Sequence, residues 1–182
     1  GDFSDGGEVG GANRSIGNTD AYDMSIETNN VAQLIIEGSA TGTGVITTPN
    51  QSSVLVRDDS GTVSTTTATK CLLDVETHDV QGEHDPTTNH RTTITLAGKY
   101  LISFLARADA LGADKYLEAR IYKNGSNVDG YDPAVQGGSD ESGVMKTHIL
   151  QLAASDYIEG FFWHDHGSDR TCYGVMNIIK VS

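Results

Sequence analysis

The chain has 182 residues, 37% of them hydrophobic, and carries 25 Asp and Glu against 12 Lys and Arg for a formal net charge of −13. That length accommodates one domain with an appendage, or two small ones. The acidic balance argues against nucleic acid or an anionic membrane as the main partner, since both require a basic footprint, and no apolar run approaches the roughly 20 residues of a membrane span.

Residues 1–37 read as an extended attachment segment that ends in a hairpin. The first 18 residues are Gly-rich and polar, too poor in apolar side chains to build a core, and are expected to follow neighbouring chains. Residues 22–27 then alternate polar and apolar, Asn29-Asn30 supplies a turn, and Val31-Ala32-Gln33-Leu34-Ile35-Ile36 makes a second strand. A hairpin alone is marginal in water. Residues 38–69, dense in Gly, Ser and Thr, read as a stalk or linker. Within them Val54-Leu55-Val56 and Thr62-Val63 flank Arg57-Asp58-Asp59-Ser60-Gly61 as a small hairpin, and these apolar stretches need something to bury against, which favours a stalk over a floppy spacer.

Residues 70–182 read as strand after strand with no helical period. Strands are expected near residues 71–79, 91–96, 99–108, 116–123, 144–152, 157–164 and 171–181, with Asn124-Gly125 as a hairpin turn. The segment Tyr100-Leu101-Ile102-Ser103-Phe104-Leu105 is apolar on both faces: Tyr100, Ile102 and Phe104 on one, Leu101 and Leu105 on the other. A strand apolar on both sides is covered twice, so the expectation is a sandwich that oligomerises. Two long loops stand out, residues 109–114 and the acidic stretch 129–143, where binding functions commonly reside.

Two cysteines raise the question of a disulfide. If Cys71 opens the first strand of the sandwich and Cys172 the last, antiparallel pairing sets Cys71 opposite Lys180 and the thiols roughly 25 Å apart. That exceeds the ~7 Å a disulfide spans, so two small buried thiols are expected.

Histidines and carboxylates are the candidates for chemistry. His78, Asp79, Glu83, His84, Asp85 and His90 crowd one segment, and His164-Asp165-His166 follows Trp163. At period two, His164 and His166 project to one side, a spacing that suits Zn²⁺, although two imidazoles do not complete a site and the plain reading is polar loop residues. Trp163, with Phe161, Phe162, Tyr157 and Tyr173, reads as core or subunit interface; the alternative is a sugar-stacking platform at Trp163, beside the loop that leads to Arg170. With Tyr131 and Asp132 of the second loop, Trp163 and Arg170 form the candidate ligand-binding set. No nucleophile elbow, phosphate loop, dinucleotide fingerprint or zinc-protease motif is present, and no catalytic residue is assigned.

The order Glu83-His84-Asp85-Pro86-Thr87-Thr88-Asn89, then Ala97-Gly98-Lys99-Tyr100-Leu101-Ile102, then Ile121-Tyr122-Lys123-Asn124-Gly125, then Leu150-Gln151-Leu152-Ala153-Ala154-Ser155-Asp156-Tyr157-Ile158-Glu159 resembles the globular domain of the C1q and tumour-necrosis-factor-like superfamily, in the version found in bacteriophage virion proteins. Ser155 stands where that family usually has Gly. The block of residues 14–36 resembles a segment of phage tail-fibre proteins, where three chains intertwine. These resemblances imply an all-β jelly roll of two antiparallel sheets, preceded by an extended β segment and assembled as a homotrimer. They imply recognition in place of catalysis, and a divalent ion, Ca²⁺ through the acidic residues or Zn²⁺ through histidines, only as an option. The expected role is a non-enzymatic protein on the exterior of a virion, a tail-fibre or head-fibre tip. It is held to other virion proteins by its N-terminal segment and binds a host-surface glycan or protein. The alternative is a capsid decoration protein that seals the head lattice. A cellular C1q-like lectin is disfavoured by the phage-like N-terminal segment.

Overall fold

The computed structural model describes residues 22–36, 45–48, 51–130 and 132–182; residues 1–21, 37–44, 49–50 and Tyr131 lie outside the described residues. The chain divides into two compact units, Gly1–Pro49 and Asn50–Ser182. Among the described residues every regular element is a strand.

The first unit holds a three-stranded antiparallel sheet of β1 (Met24–Thr28), β2 (Val31–Ile36) and β3 (Ile46–Thr47). Asn29 and Asn30 turn the first two strands with φ of 52° and 59°, the pair of positive values that a two-residue hairpin with the right twist requires and that Asn tolerates.

The second unit is a sandwich. Its strands are β4 (Ser53–Val63), β5 (Thr69–Lys70), β6 (Val75–Asp79), β7 (His84–Asp85), β8 (Arg91–Thr93), β9 (Gly98–Ala108), β10 (Tyr116–Lys123), β11 (Ser126–Asn127), β12 (Ala134–Gln136), β13 (Ser142–Leu152), β14 (Tyr157–His164) and β15 (Arg170–Lys180). One sheet runs β13-β9-β15-β4-β6; the other runs β11-β10-β14-β8-β7, with β12 on β10 and β5 on β14. Tyr100, Ile102, Phe104, Met176, Ile178, Val54 and Val56 from the first sheet meet Leu117, Ala119, Ile121, Ile158 and Phe162 from the second, all fully buried. Burial at every second residue follows from the strand period.

Two expectations from sequence change. The stretch 57–61, read as a turn within a stalk, lies in the middle of β4, an 11-residue strand of the jelly roll paired to β15. Its Asp, Ser and Gly imitate turn chemistry, but the register slips between Gly61 and Asp58 opposite Cys172 and Gly174. That bulge turns Asp58 inward, where it accepts the Leu72 N–H at 3.1 Å and faces the Cys71 thiol.

Because β15 pairs with β4 and not with a strand at Cys71, the predicted 25 Å separation of the thiols is also wrong. Both thiols are free and buried, and they lie in one region of the core: a Cβ added at Gly174 would fall 2.3 Å from Cys71 Sγ, and Gly174 follows Cys172 on the inner face of β15. Burial, reinforced by Asp58, pushes the Cys71 thiol well up, and burial with Asp109 pushes Cys172 up to about 12. Both therefore stay protonated and unreactive at neutral pH. The native protein should resist a thiol reagent at pH 8 and take up two equivalents in denaturant, a count that mass spectrometry reads directly. Since the folded values lie above the ordinary 9.0, these groups stabilise the fold fully below pH 9, and that contribution disappears as pH rises towards 12.

Candidate functional site

The outward faces of the two sheets differ in chemistry. On the first sheet, alternation with the buried core positions leaves Leu101, Leu105, Val175, Ile179, Leu55 and Tyr173 half-buried on the solvent side, and Met145 and Ile149 are each 59% exposed. Pairing arranges them in rows, Met145 beside Leu105 beside Val175, and Ile149 beside Leu101 beside Ile179. The polar row Thr147, Ser103 and Asn177 runs between them, and two flanking aliphatic rows on the outward face of a folded unit mark an interaction site. The doubly apolar strand seen in the sequence is β9, and its second apolar side forms the middle of this face.

On the second sheet the outward side mixes aromatic rings with ion pairs. Glu118 lies beside Trp163, Arg120 beside Phe161, and Tyr122 beside Glu159, with Lys70 of β5 on the far side of Phe161. The Tyr122 and Phe161 rings stack with centroids 4.0 Å apart. The Arg120 guanidinium lies 5.5 Å from the Trp163 ring centre, and that of Arg91 lies 4.1 Å from the ring of Tyr157. Arg120 also pairs with Glu118 at 2.6 Å and with Asp132 at 3.2 Å, while Lys70 meets Glu159 at 2.5 Å.

Two residues of the candidate ligand-binding set are thus joined by an arginine expected to pair with carboxylates: Arg120 links Asp132 to Trp163. Asp132 reaches this face because a second buried cation holds it. Lys146 projects from the edge strand β13 into the seam between the sheets, its side chain only 4% exposed, and meets Asp132 at 2.9 Å and Asp129 at 2.6 Å. His148 adds a contact to Asp129 at 3.2 Å. Both Asp129 and Asp132 are therefore tied to a single ammonium, which anchors the start of the second long loop. Replacing Lys146 by Met leaves two carboxylates at a poorly hydrated seam. The expected loss is about 3 kcal/mol, the low end for breaking a buried pair because Asp129 remains partly in water and Asp132 keeps Arg120. Urea unfolding of Lys146→Met, with slope unchanged, checks this.

The two long loops predicted from sequence are not independent. Gly112 donates to Gly138 at 2.9 Å, Gly137 donates to Lys115 at 2.6 Å, and β12 inside the second loop pairs with β10. Leu111 lies so close to Gly137 that any Cβ there would come within 2.3 Å of the Leu111 Cβ.

His164 and His166 are both engaged within the protein. β14 ends at His164, so the period of two that was to align the rings stops there. The fully buried His164 ring donates from Nε2 to the Val63 carbonyl at 2.9 Å and accepts the His166 N–H at Nδ1 at 3.3 Å. His166 contacts the Arg170 guanidinium.

The acidic segment is likewise consumed by structure. Asp85 accepts the backbone N–H groups of Thr87, Thr88 and Asn89 and is held well below the usual carboxylate range by them. Glu83 accepts from Ser52 and Thr95, and His84 binds the Leu73 carbonyl. Among the described residues no group of three or more His, Cys, Asp and Glu is arranged to hold a metal.

The two-sheet sandwich shares its fold with solved jelly-roll domains of the C1q and TNF-like kind. The globular domain of zebrafish complement 1qA aligns over 72% of this chain and 98% of its own length with a TM-score of 0.55 at 16% identity. Vertex protein P5 of the phage PRD1 aligns over 72% of this chain and 97% of its own at 0.56 and 11%, and murine APRIL over 72% and 99% at 0.51 and 10%. Identities this low establish a shared fold. No family model matches the sequence, and no curated protein matches it.

Proposed function

We propose that this is a non-enzymatic, homotrimeric virion protein, displayed on the exterior of a bacteriophage, whose jelly roll binds a host-surface receptor, most simply a glycan. The observation that carries the reading is the contrast between the two outward faces. The aliphatic rows around Leu105 and Leu101 suit burial against other copies, and the aromatic and charged face around Trp163 suits a polar ligand. Self-association has a geometric argument as well. β13 is an 11-residue edge strand bearing the exposed Met145 and Ile149, a liability when left uncovered. An edge that packs on a neighbour's face makes a head-to-tail contact, and such contacts close into rings. Three is the number the sequence resemblance implies. Three adjacent weak sites then act together through avidity. The carboxylates of the acidic segment and of the second sheet's outward face are engaged in loop caps and ion pairs, so the reading assigns no chemistry to the domain and requires no metal.

A second reading, a capsid decoration protein at a junction of the head lattice, is favoured by the likeness to a phage vertex protein. Particles deprived of this chain separate the two. An adhesin is supported if they fail to adsorb and if added free protein blocks adsorption of intact particles. Normal adsorption with reduced heat stability of the head supports the decoration role and overturns the first reading.

A further inference from the structure

We propose that the outward face of the seven-stranded sheet, centred on Trp163 with Arg120, Glu118 and Phe161, is a binding platform for neutral saccharides, a deepening that rests on the receptor reading above. The C–H face of a pyranose ring is apolar and packs on the negative face of an aromatic ring, while its equatorial hydroxyls need donors and acceptors at the rim. Both are present in one register. Trp163 offers the ring, Glu118 beside it in the pairing offers carboxylate oxygens, and the guanidinium of Arg120 offers N–H donors 5.5 Å from the indole centre.

The parts are held still before any ligand arrives. Arg120 is fixed by Glu118 and Asp132, Asp132 in turn by Lys146, and Phe161 is stacked on Tyr122. A site carried on strands and braced in this way loses little freedom on binding. The interleaving of charges with rings also separates this face from the aliphatic one on the first sheet, which has the composition of a dry interface.

Charge selects the class of sugar. Arg120 and Lys70 are each neutralised by a carboxylate within 2.6 Å, and the chain carries a net −13. A sialic or uronic acid at Trp163 would meet Glu118 with the local cations already taken, whereas an uncharged hexose or N-acetylhexosamine meets no such repulsion.

Trp163 is the single tryptophan of the chain, so its emission reports on the platform directly. Full-length protein is placed on an array of neutral oligosaccharides of glucose, galactose, mannose and N-acetylglucosamine beside sialylated and uronic-acid glycans, and positives are titrated by fluorescence. The expected result is binding to neutral glycans with a change in Trp emission, at least tenfold weaker in Trp163→Ala and partly restored in Trp163→Phe, with the sedimenting mass of each variant unchanged. The fluorescence titration decides the matter on the unaltered chain even if Trp163→Ala folds poorly. Binding confined to acidic glycans, or neutral binding that leaves the emission unchanged and survives Trp163→Ala, overturns the platform but leaves the receptor reading in place. Failure to bind any arrayed glycan also overturns it, and the adsorption experiment then judges the receptor reading separately.

Discussion

Leu105→Asp should convert the proposed homotrimer to folded monomers. Leu105 lies in the middle of the row from Met145 to Val175, on the strand with both faces apolar. Its own side chain faces away from the core, so the sandwich keeps its packing. Burying a Leu contributes about 2 kcal/mol, and an unpaired carboxylate adds a desolvation cost in its place. Repeated over three subunits, the loss is at least about 6 kcal/mol, roughly four orders of magnitude in the assembly constant. The far-UV spectrum should be unchanged while the sedimenting mass falls. Leu96→Asp, an equally severe exchange at an exposed loop position, should leave the mass alone.

Phe104→Ala should be among the most destabilising single changes in the jelly roll, at about 4 kcal/mol. Phe104 lies between two glycines whose lack of side chains makes room for it. A Cβ at Gly160 would fall 2.7 Å from its ring, and one at Gly174 would fall 3.1 Å from it and equally close to Phe162. The Phe104 and Phe162 rings pack at 5.5 Å between centroids. Gly160→Ala therefore overpacks a core that cannot yield, with an expected cost of about 2 kcal/mol. The same change made on a Phe104→Leu background should cost clearly less, because the smaller side chain vacates the space the new methyl needs. That non-additivity, measured by urea unfolding at one fixed protein concentration, separates steric conflict from a general preference for glycine.

The same glycines show what sequence reading can and cannot reach. Residues 99–108 were legible as a strand, with Tyr100 to Leu105 apolar on both sides, and the Asn124-Gly125 turn was legible because its residues suit positive φ, which is 51° and 77° in the structure. β10 and β14 appear with the bounds expected. The stretch 53–63 was misread because a strand that carries a bulge borrows the Asp, Ser and Gly of a turn, and only its long-range partner, β15, reveals it. The neighbourhood of Cys71 and Cys172 was misjudged for the same reason, since strand order decides which residues meet.

At the candidate site, Trp163 and Asp132 were visible as a member of an aromatic group and a loop carboxylate, but their connection through Arg120 depends on cross-strand register. The signal for Arg120 was the alternation of Glu118, Arg120 and Tyr122 with Leu117, Ala119 and Ile121, which places all three on one outward face. Lys146 had a signal too: a lysine at a core-facing step of an apolar strand, between Val144 and His148, needs buried carboxylates nearby. β14 ends at His164, two residues before His166, so no strand carries the alignment expected of the two rings.

Sedimentation equilibrium of the full-length chain, with Leu105→Asp alongside, tests most directly whether the aliphatic outward face is a subunit interface. A mass three times the 19.3 kDa of one chain, falling to a single chain in the variant, is the expected result. A monomer at micromolar concentration, or an oligomer that Leu105→Asp leaves intact, would contradict it.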